Sequence, residues 1–270
     1  MRTLALLLFL LIPWRAQAEV AVLIHGYLSN AATWEWSGVN ARLRAAGWRE
    51  GGNFAFSPIG LIDRTTTATD GDVFYTVDLP SLAPASVQAA WLAAALDRIQ
   101  TRHPGEKITL VGHSAGGVVA RLVLVRRGAG AVHRLITIAS PHLGTHRAIQ
   151  ALDAVDDDGF FGPFKEWVVR NEIGDGLYRT LELSRGILMD LLPPKPGTLL
   201  YWLNLQPHPD IEYVSVVRSG GYWLPGDLLV PAVSQDMNRV PALRGRSAVH
   251  LSLQGHALSP ADGVLLARLL

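Results

Sequence analysis

One segment of the sequence restricts the fold more than any other: an apolar run that ends in a glycine-rich turn and opens directly into a helical pattern. Lys107–Val111 is rich in apolar and β-branched residues and predicts a buried strand. Gly112-His113-Ser114-Ala115-Gly116 follows, and Ala115–Arg127 then carries apolar residues at helical spacing. A G-x-S-x-G at such a junction predicts a sharp turn that holds Ser114 at the carboxyl end of a sheet. A P-loop is excluded, because no Lys-Ser or Lys-Thr pair follows the glycines.

The remainder of the chain alternates short strands with amphipathic helices. This alternation predicts right-handed crossovers and an α/β fold with a doubly wound, mostly parallel sheet. The other predicted strands are Val20–Ile24, Asn53–Pro58, Arg134–Ala139, Ile211–Val217 and Ala248–Leu253. The other predicted helices are Ala31–Ala46, a helix from an N-cap at Ser86 to about Arg102, and Ala261–Leu270, while the polar segment Asp63–Asp72 predicts a loop.

The segment from about residue 145 to residue 205 interrupts this alternation. It contains three consecutive aspartates, several prolines and many aromatic residues, and it has no clear strand pattern. One interpretation is an ordinary helical excursion with its own small core. The other is a helical cap or lid that builds an apolar substrate pocket. We therefore predict one domain over residues 19–270 with a cap insertion at about 145–205.

The first eighteen residues have the features of a secretory signal peptide. Arg2 supplies a positive charge, Leu4–Ile12 is an unbroken apolar run, and Ala16-Gln17-Ala18 fits a cleavage site of small residues. The apolar run is too short to span a membrane. We expect a secreted or periplasmic protein whose mature chain begins near Glu19 and contains no transmembrane segment.

Composition and charge exclude several classes of function. The sequence has no cysteine, so a disulfide framework, a thiolate metal site and a cysteine nucleophile are all impossible. The formal net charge of the whole chain is +1, and removal of Arg2 and Arg15 with the signal peptide makes the mature chain slightly acidic. No basic cluster remains, which argues against a nucleic acid as a partner.

Four short motifs occur along the chain, each just after a predicted or candidate strand. They are His25-Gly26-Tyr27, Gly112-His113-Ser114-Ala115-Gly116-Gly117, Ser140-Pro141-His142-x-Gly144-Thr145 and Gly226-Asp227-x-x-Val230-Pro231. Through these motifs the sequence resembles the α/β-hydrolase family, and within it bacterial lipases and esterases and the GPI-inositol-deacylase-like lipases. The resemblance spans most of the mature chain. It implies that Ser114 is a nucleophile and that the backbone N–H groups of Tyr27 and Ala115 form an oxyanion hole. It also implies that His25 and His142 shape their loops.

The same resemblance implies that an acid and then a histidine follow Ser114 along the chain. Two histidines lie near the last predicted strand. We favour His256, which falls in the loop beyond the strand, over His250, which lies inside it. For the acid we favour Asp227, which matches the acid loop of related lipases, over Asp236, which is more typical of a turn cap.

Three further patterns carry weaker signals. His142 and His146 have a spacing that can bind zinc on a helix, but the intervening sequence does not favour a helix. Asp153 with residues 156–158 could hold calcium, although the EF-hand ligand pattern is absent. We therefore predict no metal and no cofactor. Arg121 resembles a family position, which implies a buried salt bridge.

The combined features predict a hydrolase of carboxylic esters that works through a Ser-His-Asp triad and an acyl-enzyme. The expected substrate is a small-molecule or lipid ester, with transient contact to a lipid interface. A thioesterase, or a deacylase of a lipid-linked molecule, would use the same residues. A binding protein without activity on a hydrolase scaffold is the alternative from another class.

Overall fold

The computed structural model describes residues 18–66, 71–155, 175–220 and 226–270. These residues form one eight-stranded sheet in the order β3-β2-β4-β1-β5-β6-β7-β8. All neighbouring strands are parallel except β3, which runs antiparallel to β2. The strands are β1 Glu19–Ile24, β2 Arg49–Ala55, β3 Ile62–Thr65, β4 Val73–Asp78, β5 Lys107–His113, β6 Val132–Ile138, β7 Glu212–Arg218 and β8 Ser247–Ser252. The predicted fold class is confirmed.

Helices cover both faces of this sheet and create two separate cores. Val22 of β1 belongs to the core beneath α3 and α4, whereas its neighbour Leu23 belongs to the core beneath α2 and α10. The helices of the described residues are α1 Ala32–Trp36, α2 Val39–Ala45, α3 Ala85–Arg102, α4 Ala115–Arg127, α5 His146–Val155, α6 Asp175–Leu183, α7 Arg185–Asp190, α8 Leu199–Leu205, α9 Ala232–Gln235 and α10 Pro260–Leu269. Two 3₁₀ turns, Met237–Arg239 and Pro241–Leu243, precede β8.

Two of the predicted helices differ from those in the structure. The single helix predicted over Ala31–Ala46 is two short helices, because the backbone at Gly38 has a φ of 79° and breaks the helix there. The helix predicted to start from a cap at Ser86 begins at Ala85 instead. The Ala85 N–H is satisfied from outside the helix, by the Asp190 carboxylate at 2.7 Å.

Two strands, β3 and β4, in the part of the sheet beyond β1 were not predicted. The segment predicted as a loop, Asp63–Asp72, begins inside β3, which pairs with β2 and forms the edge of the sheet. β4, Val73–Asp78, lies between β2 and β1, and its residues are buried up to its last position. Residues 67–70 of the predicted loop lie outside the described residues.

Between β6 and β7 the described residues contain α5, α6, α7 and α8 and no strand. Ala148, Leu188 and Leu200 from these helices join the core that lies beneath α3 and α4, so the helices pack against the main body. The insertion bounds of 145–205 stay a prediction, since residues 156–174 lie outside the described residues.

The predicted signal peptide is not tested, because residues 1–17 also lie outside the described part of the chain. Within that part, none of the helices combines the length and the apolar character that a membrane crossing requires.

Candidate active site

Ser114 occupies a strained turn between β5 and α4. Its backbone has φ 51° and ψ −128°, a conformation that costs roughly 1–3 kcal/mol for a residue other than glycine. The Ser114 N–H donates to the Ile138 carbonyl at 2.8 Å, which holds the turn against β6. Gly26 passes so close that a Cβ there would lie 2.7 Å from the Ser114 Cβ. The turn therefore fixes the Ser114 hydroxyl at the carboxyl end of the sheet, beside the loop that follows β1.

The structure brings Ser114, His256 and Asp227 together although they are far apart in sequence. His256 Nε2 lies 3.0 Å from Ser114 Oγ, and His256 Nδ1 lies 2.9 Å from Asp227 Oδ2. A carboxylate only accepts, so Nδ1 carries the proton and donates to Asp227. Nε2 is then free to accept the hydrogen of the Ser114 hydroxyl, as a general base must.

The surroundings of the Asp227 carboxylate favour its ionised form. Its side chain is 1 % exposed. Burial alone would raise the pKa of Asp227, but the hydrogen bond and charge of His256 and the backbone N–H groups of Val230 and Leu229 outweigh it and lower that pKa. Both N–H groups lie 2.7 Å from Asp227 Oδ1. Oδ1 is therefore committed to the backbone, which leaves Oδ2 for the imidazole.

The two predicted oxyanion donors belong to residues near Ser114: Ala115 follows it in the chain, and Tyr27 lines the same pocket. Neither the Tyr27 nor the Ala115 N–H donates a hydrogen bond within the described residues, and Ala115 is the first residue of α4. His25 anchors the loop that carries Tyr27, since its Nδ1 donates to the Gly26 carbonyl at 2.9 Å and its Nε2 accepts from the Leu79 N–H at 2.9 Å. The assignment of these two N–H groups to an oxyanion hole stays a prediction.

A pocket of about 340 Å³ opens in front of Ser114 and His256. Residues of α5 and of the segment around α7 form one wall of this pocket, and the interpretation of the insertion as a cap stays a prediction. Most of the lining is apolar: Tyr27, Leu28, Pro141, Ala148, Ala151, Leu188, Leu191, Leu229 and Val230. An apolar cavity beside the serine suits the acyl part of a substrate.

His113 contacts the backbone of His256 and has no assigned role in the sequence analysis. Its Nε2 lies 2.9 Å from the His256 carbonyl, which only accepts, so His113 Nε2 carries a proton. Burial and the nearby His256 lower the pKa of His113 to about 3, so the ring is neutral. The G-x-S-x-G motif could have pointed to His113, because His113 immediately precedes Ser114 in it.

Gln235 is a second residue that sequence reasoning missed. Its Nε2 donates to Asp227 Oδ2 at 3.1 Å and to the Val230 carbonyl at 2.7 Å, while its Oε1 accepts from the Arg218 N–H at 2.7 Å. The side chain is buried and ties the Asp227 loop to β7. No local pattern marks a glutamine for this role.

Neither rejected alternative forms a hydrogen bond with Ser114 or His256 among the described residues. His250 lies inside β8, in register with Val216 of β7, and among the described residues no hydrogen bond joins it to Ser114. Asp236 accepts the Asn238 N–H at 2.9 Å and caps a 3₁₀ turn. The choice of His256 and Asp227 over these two residues stays a prediction.

The buried salt bridge implied for Arg121 is absent from the described residues. Arg121 is fully buried, and it donates to Asn204 Oδ1 at 2.9 Å, to His208 Nε2 at 3.2 Å and to His142 Nδ1 at 3.3 Å. Neutral acceptors therefore replace the expected carboxylate. Burial lowers the pKa of Arg121 to about 9. The network also holds His142 in its loop.

The weaker metal patterns find no support in the described residues. His142 is buried in the Arg121 network, whereas His146 is exposed at the start of α5, so the two rings lie in different surroundings. Among the residues that the structure describes, no group of three or more potential ligands is placed to hold a metal ion. Residues 156–158 of the predicted calcium pattern lie outside the described residues.

Comparisons with known proteins agree with this architecture. The model of a family described as PGAP1-like alpha/beta domain matches residues 74–154, which is less than half of the chain. No curated protein matches the sequence. The chain is similar to the structure of the lin2722 gene product of Listeria innocua, with 17% identity and a TM-score of 0.59, over 92% of this chain and 88% of that one.

Two further structures show the same likeness at similar distance. The mature lipase BlEst2 of Bacillus licheniformis is 17% identical, with a TM-score of 0.58 over 95% of this chain and 91% of that one. The RedJ thioesterase of the prodiginine biosynthetic pathway in Streptomyces coelicolor is 17% identical, with a TM-score of 0.52 over 94% and 85%. At this identity the likeness shows the fold. The chain therefore has the α/β-hydrolase fold, as its motifs predict.

Proposed function

We propose that this chain is a serine hydrolase that cleaves carboxylic esters with an apolar acyl group. The observation that carries the proposal is the continuous hydrogen-bonded row from Ser114 through His256 to Asp227 at the mouth of an apolar pocket. The Tyr27 and Ala115 N–H groups, which have no acceptor among the described residues, support the same reaction class. We infer from the signal-like N-terminus that the enzyme acts in the periplasm or outside the cell.

The proposed reaction has two steps. Ser114 Oγ attacks the ester carbonyl carbon while His256 Nε2 takes the hydroxyl proton, and Asp227 stabilises the resulting imidazolium. The Tyr27 and Ala115 N–H groups hold the oxyanion. The C–O bond to the alcohol then breaks, and His256 returns the proton to the leaving oxygen. A water molecule attacks the acyl-enzyme in the same way and releases the carboxylic acid and free Ser114.

A series of p-nitrophenyl esters from C2 to C16 tests this proposal on the chain beginning at Glu19. We expect Ser114→Ala to lower kcat roughly 10⁴-fold or more, because the nucleophile is lost. Ser86→Ala, on α3, is the matched control and is expected to keep full activity. Since each buried CH₂ contributes about 0.8 kcal/mol, esters longer than C2 should have the higher kcat/KM. Activity that survives in Ser114→Ala would contradict the mechanism, and a preference for thioesters would assign the same site to a thioesterase.

The contact between Gln235 and Asp227 predicts a loss of activity when the glutamine is replaced. In Gln235→Leu, Asp227 Oδ2 and the Val230 carbonyl lose a donor and the Arg218 N–H loses its acceptor, so the loop that carries Asp227 is held less firmly. We expect kcat to fall about tenfold, because Asp227 then orients His256 less well. The measurement is kcat on p-nitrophenyl butyrate, with Gln100→Leu as an exposed control that is expected to keep full activity. Full activity in Gln235→Leu would show that Gln235 has no part in positioning Asp227.

A further inference from the structure

A second, more polar pocket of about 290 Å³ adjoins the apolar pocket in front of Ser114. The two pockets share Thr145, Arg147 and Leu229 as lining residues, so they meet at these side chains. The second pocket adds the polar residues His146, Gln150 and Asp227, together with Leu228 and Pro231. An ester consists of an acyl part and an alcohol part. The apolar pocket suits the acyl part, and the polar pocket suits a polar alcohol part.

Arg147 is the only Lys or Arg that lines either pocket among the described residues. Its Nε donates to the Leu228 carbonyl at 3.1 Å, and one terminal nitrogen donates to Gln150 Oε1 at 2.9 Å. No carboxylate of the described residues forms an ion pair with it. The side chain is exposed, so its charge is not neutralised by the contacts that orient it.

Asp227, the acid that lines the polar pocket, does not pair with Arg147. Its side chain is 1 % exposed and its oxygens accept from His256, Gln235 and two backbone N–H groups. The polar pocket therefore presents a cation whose acceptors among the described residues are two neutral oxygens. A guanidinium has five N–H donors in a planar fork that matches the oxygens of a phosphate.

We propose that Arg147 binds a phosphate on the alcohol part of the substrate, so that the enzyme acts on acyl esters with a phosphorylated head group. The acyl chain lies in the apolar pocket, and the phosphate lies in the polar pocket against Arg147, with His146 beside it. This inference rests on the proposed function, because it assumes that Ser114 attacks the ester between the two compartments. Charge-assisted hydrogen bonds of this kind are about twice as strong as neutral ones and select for the anion.

The test compares two substrates that differ only in the phosphate: 1,2-dihexanoylglycerol 3-phosphate and 1,2-dihexanoylglycerol. Release of hexanoate gives kcat/KM for each, and the quantity of interest is the ratio of the phosphorylated to the uncharged substrate. We expect Arg147→Gln to lower this ratio about tenfold or more, mainly through KM, and Arg147→Lys to restore part of it. Arg98→Gln, an exposed site on α3 with the same charge change, is expected to keep the wild-type ratio.

Binding gives a second readout that does not depend on turnover. Hexyl phosphate is expected to bind Ser114→Ala by calorimetry, and to bind Ser114→Ala/Arg147→Gln about tenfold more weakly. A ratio and an affinity that Arg147→Gln leaves unchanged would overturn the proposal, and so would an equal loss on both substrates, which would limit Arg147 to holding the Leu228 loop. Hydrolysis of p-nitrophenyl esters without any hydrolysis of the phosphorylated substrate would overturn it while the proposed function stands. Tight binding of hexyl phosphate without hydrolysis of any ester would overturn the proposed function instead.

Discussion

Replacing Asp227 by asparagine is expected to lower kcat about 10⁴-fold while the fold is kept. Asp227 Oδ1 accepts two backbone N–H groups, from Leu229 and Val230, so an asparagine must place its own oxygen there. Its NH₂ group then takes the position of Oδ2, 2.9 Å from His256 Nδ1. An NH₂ group only donates, so the imidazole must move its proton to Nε2, where it can no longer accept from Ser114.

The measurement is kcat for p-nitrophenyl butyrate, with Asp236→Asn as the matched control. Asp236 accepts a backbone N–H at the start of a 3₁₀ turn and contacts neither His256 nor Ser114, so its variant is expected to keep activity within about twofold. A loss of less than about tenfold in Asp227→Asn would contradict the assigned role. A large loss in Asp236→Asn alone would assign the role of the triad acid to Asp236 instead of Asp227.

The parts of the site that sequence predicts are those that local chemistry dictates. The turn at Ser114 needs glycines beside it and a strand and a helix on either side, and all of these are visible within about twenty residues. His256 is predicted from its place in the loop beyond the last predicted strand, and Asp227 from its match to the acid loop of related lipases. The structure brings both within hydrogen-bond distance of a partner. Their roles in catalysis stay a prediction until they are measured.

The parts that sequence did not predict depend on contacts between distant segments. Gln235 is fixed by Asp227, Val230 and the backbone of Arg218, and none of these contacts leaves a periodic pattern. The start of α3 at Ala85 depends on a carboxylate more than a hundred positions away, and so propensity alone misplaced its cap at Ser86. Arg121 shows the same limit, because the side chains that surround it come from several elements and are neutral.

The ion pair between Arg218 and Asp262 is expected to dominate the stability of the loop that carries His256. The two side chains are 0% and 1% exposed, and they form two bonds, 2.6 Å between Arg218 Nη1 and Asp262 Oδ1 and 3.1 Å between Nη2 and Oδ2. Asp262 Oδ2 also accepts the Ser259 N–H at 2.8 Å and closes the first turn of α10. Because His256 lies between β8 and α10, this pair joins β7 to the end of its loop.

We expect Asp262→Ala to lower the free energy of unfolding by about 3–5 kcal/mol, since it leaves the Arg218 guanidinium buried without a counterion. Urea denaturation measures the loss. The exposed pair of Glu35 with Arg44 is the matched control, and Glu35→Ala should cost no more than about 1 kcal/mol despite a similar distance of 2.7 Å. The double variant Arg218→Met/Asp262→Leu separates the two explanations of a large effect. If the cost comes from the unpaired charge, the double variant should be more stable than Asp262→Ala; if it comes from the lost cap of α10, both should be destabilised alike.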